Sequence, residues 1–285
     1  MRAIGKIVLL YFALLFWGCA KENEVVARVG NVEIYREDLI LQRAVYEKCY
    51  GQEDKDSIEV LAELIRDALE KAVLKAKYGM EPPESIMVEK EKWIDKNTKA
   101  PEIWQCKKEV YGKNKEALYK NIISPILVNQ KLHGLFSLDT LIHKQERDSI
   151  VGIFKKVMKF PESLSAVAGY DTFQIPKRVP VDRTLLESGA EFAPDPIIDK
   201  VLVHLKPGEM WQNIVEDDYS YKIVRLLSEN DSFYVCDGVI VMKKSFDKWF
   251  REYAIRNIDI EIYDDYLRKS LLERYPDLWW WKMLR

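Results

Sequence analysis

The apolar stripe in residues 57–79, SIEVLAELIRDALEKAVLKAKYG, constrains the fold more than any other feature of the sequence. Its apolar side chains recur every three or four residues, which places them on one face of a long α-helix. Asp56 or Ser57 can cap the start of this helix, and Gly79 can end it before Pro82. Because so long a stripe must be covered, the sequence predicts a core of several helices around it.

Other helical patterns flank this helix. They are expected at residues 35–50, 84–97, 101–111, 114–133 and 141–158. Pro125 lies inside the fourth pattern, where its ring and its missing N–H should kink the helix. Before the first pattern, residues 25–35 predict two short strands joined by a tight turn at Gly30 and Asn31. The first half of the chain is therefore predicted to be almost wholly helical behind one hairpin.

The composition changes after residue 168, where proline, glycine and aspartate become frequent. An irregular stretch with one strand near residues 172–175 should follow. Three strands are then expected at 210–216, 219–227 and 233–242, followed by a helix, a strand and a last helix. Alternation along the second of these strands places Tyr221 and Ile223 on one face and Lys222 and Val224 on the other. The predicted fold class is α+β, mainly helical.

The N-terminal segment has the features of a secretory signal. Arg2 and Lys6 precede the apolar run of residues 7–17, which is shorter than the ~20 residues that a membrane-spanning helix needs. Gly18 and Cys19 follow, and the chain then becomes polar. This arrangement resembles a bacterial lipoprotein signal, whose cleavage would leave a lipid-modified Cys19 at the new N-terminus. Plain secretion and an uncleaved anchor are the alternatives, since the residues before Gly18 depart from the usual leucine and small residue.

The overall composition is that of one or two globular domains. Hydrophobic residues make up 48% of the 285, charged residues 32%, and the formal net charge is −2 with both signs mixed throughout. No basic face is implied, so a nucleic-acid partner is not expected. The sequence has no glycine-rich phosphate loop and none of the common hydrolase or metalloprotease motifs. No cofactor and no metal are predicted.

Three cysteines remain if Cys19 carries lipid. Their spacings do not describe a metal site, and an odd number leaves one unpaired in an oxidising compartment. Cys236 lies in an apolar strand pattern and is interpreted as a buried thiol. Cys49 and Cys106 either form a disulfide or stay reduced, and the sequence leaves both alternatives open.

Two stretches, in this order, resemble one family. Residues 25–39 followed by 61–80 resemble the N-terminal module of SurA-like periplasmic chaperones, and LYKNIISPILVNQKL at 118–132 is similar to a later helix of that module. Residues 197–227, with their Lys-Pro-Gly-Glu turn, resemble the end of a parvulin-type prolyl isomerase domain.

The resemblance implies four segments. They are a signal peptide at 1–19, a SurA-N-like helical chaperone module at 20–138, a small parvulin-like α/β domain at 139–242, and a C-terminal helix-strand-helix segment at 243–285 that packs back on the first module.

The resemblance also implies that the isomerase site has degenerated. A parvulin domain is expected to hold two histidines, one on its first strand and one on its last. No strand pattern lies in residues 133–145, at the start of the helix of residues 141–158, and the position on the last strand carries Lys222. A charged lysine cannot replace a neutral imidazole, so Lys222 is interpreted as a solvated strand residue. Ile198, Trp211 and Tyr221 are the candidate peptide-binding residues on this comparison.

The expected function is that of a lipid-anchored periplasmic chaperone. Its partners would be unfolded or extended segments of client proteins and the lipid bilayer, with the outer membrane favoured because Ala20 follows Cys19. One alternative is an active isomerase with an altered site near Lys222, Tyr221 and Ile198. The other is a structural lipoprotein of one envelope assembly complex.

Aromatic residues could supply the surface that binds clients. The candidates are Trp93, Trp104, Trp211, Tyr219, Tyr221, Trp249 and the terminal run Trp279–Trp281. The terminal run is expected to dock on the helical half of the chain. Contact with peptides or with the membrane interface is the alternative.

Overall fold

The computed structural model describes residues 24–176, 201–217 and 219–284. These residues form a mainly helical α+β fold with two small antiparallel sheets, which confirms the predicted class. The contacts divide the chain into two units. The helical unit contains residues up to Gly134 and from Asp247 onward, and the sheet unit contains Leu135–Phe246. Within the described ranges, no helix is both long and apolar enough to cross a membrane.

The elements are numbered in chain order. The first are β1 (Val25–Val29), β2 (Val32–Tyr35), α1 (Arg36–Tyr50), α2 (Ser57–Tyr78), α3 (Glu84–Asn97), α4 (Pro101–Tyr111), α5 (Lys115–Leu118), a π-helical turn (Tyr119–Ile123) and α6 (Ser124–Leu138). Then follow α7 (Lys144–Lys159), a 3₁₀ turn (Pro161–Ala166), β3 (Tyr170–Pro176), β4 (Val215–Glu216), β5 (Ser220–Glu229) and β6 (Phe233–Met242). The last are α8 (Phe246–Asn257), β7 (Ile260–Ile262), α9 (Asp265–Arg274) and a second 3₁₀ turn (Trp279–Met283).

Helix α2 is the centre of the helical unit, as its stripe predicts. The Asp56 carboxylate caps its start by accepting hydrogen bonds from the N–H groups of Ile58 and Glu59, at 2.9 and 3.1 Å. Gly79 ends it with φ of 67°, a left-handed conformation that favours glycine. The stripe is fully buried at Leu61, Ile65, Leu69 and Val73. At ~1.5–3 kcal/mol for each buried aliphatic side chain, this stripe is a main source of the unit's stability.

The helical unit is completed by the C-terminal segment. β1 is the middle strand of a three-stranded antiparallel sheet with the order β2-β1-β7, and β7 comes from the C-terminal segment. Leu284 bridges Ile260 at the end of the chain, and Trp280 is 3% exposed. The middle of the terminal tryptophan run is therefore part of the core of this unit.

A disulfide joins two helices of the same unit. Cys49 in α1 and Cys106 in α4 are bonded, with their Cα atoms 5.6 Å apart. Of the two alternatives that the sequence leaves open, the structure contains the disulfide. Cys236 is the free cysteine of the described residues and is buried, as predicted.

The helix that contains Pro125 changes its hydrogen-bond pattern just before the proline. The backbone N–H of Ser124 donates to the carbonyl of Tyr119, five residues back, within the π-helical turn. Proline has no N–H to give and its ring crowds the preceding turn, so a wider turn at this point is the local solution. Where the sequence predicts a kink, the structure has a π-helical turn.

The sheet unit is built around an antiparallel sheet with the strand order β3-β6-β5-β4. β5 is covered on both faces: Tyr221 and Ile223 belong to one core cluster with residues of α7, and Val224 and Leu226 belong to another. The predicted alternation of this strand is therefore confirmed. Gly238 of β6 is required, since a Cβ there would lie 1.9 Å from the carbonyl oxygen of Ile223. Residues 139–143 form a turn and contain no strand, and α7 begins at Lys144, three residues after the predicted start at 141.

Candidate functional site

Lys222 occupies the position that the resemblance links to catalysis, and it is not the solvated residue that the sequence predicts. Its side chain is 13% exposed and forms an ion pair with Asp217. The Asp217 carboxylate also accepts hydrogen bonds from the N–H groups of Tyr219 and Ser220, both at 2.7 Å. Burial raises the pKa of Asp217, but the hydrogen bonds from Lys222 and from these N–H groups outweigh it and lower the pKa. The ion pair of Lys222 with Asp217 therefore stabilises the turn between β4 and β5.

The candidate peptide-binding residues do not meet in the part of the chain that the structure describes. Tyr221 is 3% exposed and packs in the cluster that α7 covers. Trp211 is half-buried against the cluster on the other side of β5. Because the two lie against opposite faces of the sheet, they cannot line one pocket. Ile198 and Cys19 lie outside the described residues.

The histidines do not form the pair expected of a parvulin site. His143 is buried at the start of α7, with Nε2 3.0 Å from the carbonyl oxygen of Phe136. Burial lowers the pKa of His143, so the neutral imidazole is favoured and Nε2–H donates to that carbonyl. His133 is exposed on α6 and His204 is exposed after residue 202.

An apolar groove, which we call the α3 groove, lies in the helical unit. Its volume is about 690 Å³, within the ~300–1,000 Å³ usual for ligand pockets. It is lined by apolar side chains from the end of α2, the following loop, α3 and α6: Leu74, Met80, Pro82, Pro83, Ile86 and Leu127. Met80 and Ile86 are 40% and 41% exposed, so this apolar surface is open to solvent. Exposed apolar surface that is concave and contiguous marks an interaction site.

A second groove borders other side chains of α3 and is more polar. It encloses about 950 Å³ and shares Glu81 and Pro82 with the α3 groove. Its lining includes both acids and lysines: Glu84, Glu91, Lys92, Asp95, Lys115, Glu116 and Lys120. The shared residues make the two grooves neighbours, so a ligand longer than the α3 groove could continue into a polar channel.

Helix α3, which borders both grooves, has no fully buried residue. Met87, Val88 and Ile94 are half-buried against the core, and polar contacts hold the second half of the helix. The Glu91 carboxylate accepts from the hydroxyl of Tyr119 at 2.7 Å, a bond that raises the pKa of the tyrosine to about 12. A helix with so little burial belongs to the low-stability part of a fold, which is where ligand-binding elements are found.

The other anchor of α3 is helix α4. The Asp95 carboxylate of α3 accepts from the Lys108 ammonium at 2.7 Å and the Trp104 indole N–H at 2.6 Å. These hydrogen bonds, that of Lys108 first, lower the pKa of Asp95. Since Cys106 of α4 is bonded to Cys49 of α1, the disulfide fixes the helix that positions α3.

A buried polar cluster connects α1 with the π-helical turn. The Asp38 carboxylate is 4% exposed and accepts from the Tyr35 N–H at 2.8 Å, the Lys120 ammonium at 2.5 Å and the Asn121 amide at 2.9 Å. A buried carboxylate is stable when its lone pairs are filled in this way. The cluster holds α1 and the π-helical turn together, and a small cavity of about 40 Å³ lies beside it.

Asp67 of α2 lines the same small cavity and has an unusual titration. Burial raises the pKa of Asp67 to about 6, and the Arg66 guanidinium, 3.6 Å away, offsets this only in part. Glu70 and Glu63 add to the rise through their negative charges. The carboxyl group therefore takes up a proton between pH 7 and pH 5.

The aromatic candidates for a client surface are mostly interior. Trp104, Trp249 and Trp280 are buried, whereas Trp93 and Tyr219 are exposed. Among the described residues, no three or more His, Cys, Asp or Glu side chains form a group that could hold a metal ion.

The comparison with known proteins assigns this chain to no family. No protein-family model matches this chain, and no curated protein matches it either.

Sequence reasoning did not identify the α3 groove. A signal was present: residues 84–97 have few apolar side chains and follow the segment Met80-Glu81-Pro82-Pro83. A helix with few apolar side chains cannot cover the end of α2 completely, and proline residues keep the preceding loop from closing over it. The weak helix and the stiff loop together predict an open groove.

Proposed function

We propose that this protein is a lipid-anchored periplasmic chaperone that holds unfolded or extended segments of envelope proteins in the α3 groove. The observation that carries the proposal is the apolar lining of this groove, which is open to solvent. Apolar surface that stays exposed to water does not stabilise the helical unit and marks an interaction site. An extended segment with a few aliphatic side chains matches both its size and its chemistry.

The polar groove supports binding of segments rather than of small molecules. It continues from the shared residues Glu81 and Pro82 and offers both acids and lysines. An unfolded segment exposes apolar and charged side chains along one chain, and neighbouring grooves of the two kinds suit such a ligand. The mixed charges give little selectivity for one sequence, as a holding function requires.

The sheet unit serves as a scaffold in this proposal, with weak or no isomerase activity. An isomerase must bind the twisted amide better than the planar one, which calls for a rigid pocket at the reacting bond. The ion pair of Lys222 with Asp217 and the burial of Tyr221 support the scaffold role, because both side chains are already committed to the fold.

The proposed location is the periplasm, with the lipid on Cys19 and the outer membrane favoured. The signal pattern of residues 1–19 supports it. The Cys49–Cys106 disulfide also supports it, because structural disulfides persist in oxidising compartments and are rare in the cytosol.

The proposal is tested with the chain starting at Ala20. A proline-limited refolding substrate reports isomerisation, and light scattering of an unfolded client, recorded in parallel, reports holding. We expect suppressed aggregation without catalysed refolding. Catalysed refolding would favour the isomerase with an altered site. The absence of both effects would contradict the chaperone function and favour a structural lipoprotein of one assembly complex.

A further inference from the structure

The corner of the helical unit where β1 begins is close to any lipid carried by Cys19. Glu24 precedes β1, and it is five residues after Cys19. An extended chain spans at most ~3.6 Å per residue, so Glu24 can be no more than about 18 Å from the lipidated cysteine. Val26, two residues further, is 1% exposed in the middle strand of the sheet. The segment between Cys19 and Glu24, which we call the tether, is thus followed directly by the core of the unit.

Ion pairs tie this corner to the C-terminal segment. The Arg36 guanidinium donates to the Glu24 carboxylate at 2.8 Å and to the Asp264 carboxylate at 2.7 Å. Asp264 in turn caps α9 by accepting from the Leu267 N–H at 3.0 Å. The start of α9 is therefore held against the residue that the tether enters.

Two exposed tyrosines lie on either side of Asp264 in the sequence. The Tyr263 N–H donates to the Val26 carbonyl at 2.9 Å, and Tyr263 is 46% exposed. Tyr266, in the first turn of α9, is 73% exposed. Tyrosine combines an apolar ring with a polar hydroxyl and is enriched where protein meets the headgroup region of a membrane. We call Glu24, Arg36, Tyr263, Asp264 and Tyr266 the Glu24 corner.

The charges around the corner indicate the kind of lipid surface. The adjoining outer face of the sheet adds Arg28, Glu33 and Glu261, which pair across the strands. The corner and this face together carry two arginines and four acids, a balance of −2. Anionic lipids attract clusters of lysine and arginine, and the mixed charges of this surface, which the exposed Asp265, Arg268 and Lys269 of α9 adjoin, form no such cluster. Zwitterionic headgroups, whose ammonium groups can approach the acids, fit it better.

We propose that the Glu24 corner is a membrane-facing surface that rests on zwitterionic phospholipid headgroups through Tyr263 and Tyr266. This inference rests on the proposed lipid anchor at Cys19. The short tether confines the corner near the bilayer, and the tyrosines provide the contact. The contact would fix which side of the helical unit faces the membrane.

The test uses the mature lipidated chain, produced with its own signal, in vesicles of phosphatidylethanolamine and phosphatidylcholine. A nitroxide is attached to an Asp265→Cys variant, beside both tyrosines, and to an Asp54→Cys control just past the far end of α1, a helix about 22 Å long. Both sites are exposed. Burial raises the pKa of the Cys236 thiol to about 11, so it does not compete for the label.

Relaxation of the label by oxygen, which concentrates in lipid, is compared with relaxation by a water-soluble nickel chelate. We expect the oxygen-to-nickel ratio at position 265 to exceed that at position 54 severalfold. It should fall toward the control when Tyr263→Ser and Tyr266→Ser are added. Equal ratios at the two positions on chains whose Cys19 is lipidated would overturn the surface alone. Unmodified Cys19 by mass spectrometry would remove the anchor and the surface together.

Discussion

At the residue scale, Asp67 shows how a single carboxyl group can make stability depend on pH. Its pKa of about 6 lies above the ordinary value, so the folded chain binds a proton more tightly than the unfolded chain. Above pH 6 the folded state holds a buried charge and loses stability relative to the acidic range. As the pH falls from 7 to 4, this group's penalty disappears.

Asp67→Asn should therefore stabilise the protein at neutral pH. A shift of about two pKa units corresponds to roughly 3 kcal/mol at most, and the partial exposure of the side chain reduces this to ~1–2 kcal/mol. The gain should be full at pH 7.5 and nearly absent at pH 4. Urea unfolding of both proteins at the two pH values measures it. A gain that is equal at both pH values would contradict the raised pKa.

Lys222→Ala should weaken the fold by ~1–3 kcal/mol, because it leaves the Asp217 carboxylate charged and without its ammonium partner. The N–H groups of Tyr219 and Ser220 still donate to the carboxylate, which keeps the cost below that of a fully orphaned charge. Lys269→Ala, at a lysine that is 79% exposed in α9, is the control and should change stability by less than ~0.5 kcal/mol. Equal unfolding midpoints for both variants would contradict the structural role of Lys222.

The alternation of β5 could be predicted from the sequence, and the surroundings of its side chains could not. Period two places Tyr221 and Lys222 on opposite faces wherever the strand lies. Whether each face is covered depends on α7 and on residues distant in sequence. For that reason Tyr221 could be taken for a pocket residue, and Lys222 for a solvated one, before its partner across the turn was known.

At the scale of elements, α3 depends on a chain of contacts that runs through α4 to the disulfide. Asp95 binds Trp104 and Lys108, and Cys106 fixes the same helix to α1. Replacing Cys49 and Cys106 together by serine should cost about 4 kcal/mol, the chain-entropy value for cysteines 57 residues apart. It should also weaken client holding, because α3 loses its fixed neighbour.

Urea unfolding and light scattering of an unfolded client, both at a temperature where the double serine variant stays folded, separate these two effects. The control is the same pair of measurements on the parent chain, whose disulfide is intact. Full client holding by the folded serine variant would show that α3 is positioned without the disulfide.

The second 3₁₀ turn is the other element whose role can be tested. Trp280 is 3% exposed, and Trp280→Ala should cost ~3–5 kcal/mol by leaving a cavity in the helical unit. Trp93, 56% exposed on α3, provides the matched control, since Trp93→Ala should leave thermal stability nearly unchanged. Similar melting temperatures for the two variants would contradict the docking of the C-terminal turn.

At the scale of the whole molecule, the order of elements was easier to predict than their partners. The stripe of α2, the caps at its ends and the alternation of β5 are local patterns, and the structure follows them. The strand predicted at 210–216 is shorter in the structure, which has β4 at Val215–Glu216 and an isolated bridge between Met210 and Arg225. That β7 adds to β1, more than 200 residues earlier, depends on non-local pairing that no local pattern encodes. The α3 groove has the same origin, because it is space that surrounding elements leave unfilled.

Whether clients are held in the α3 groove can be measured with one pair of variants. Ile86→Asp places a charge in the groove, while Leu272→Asp places one on α9 at a leucine of nearly equal exposure, 39% against 41%. Both variants are first shown to unfold at the same urea concentration. Light scattering of an aggregating client is then measured with each. We expect Ile86→Asp to lose most of the protection and Leu272→Asp to keep it. Equal protection by the two would contradict the groove as the client site.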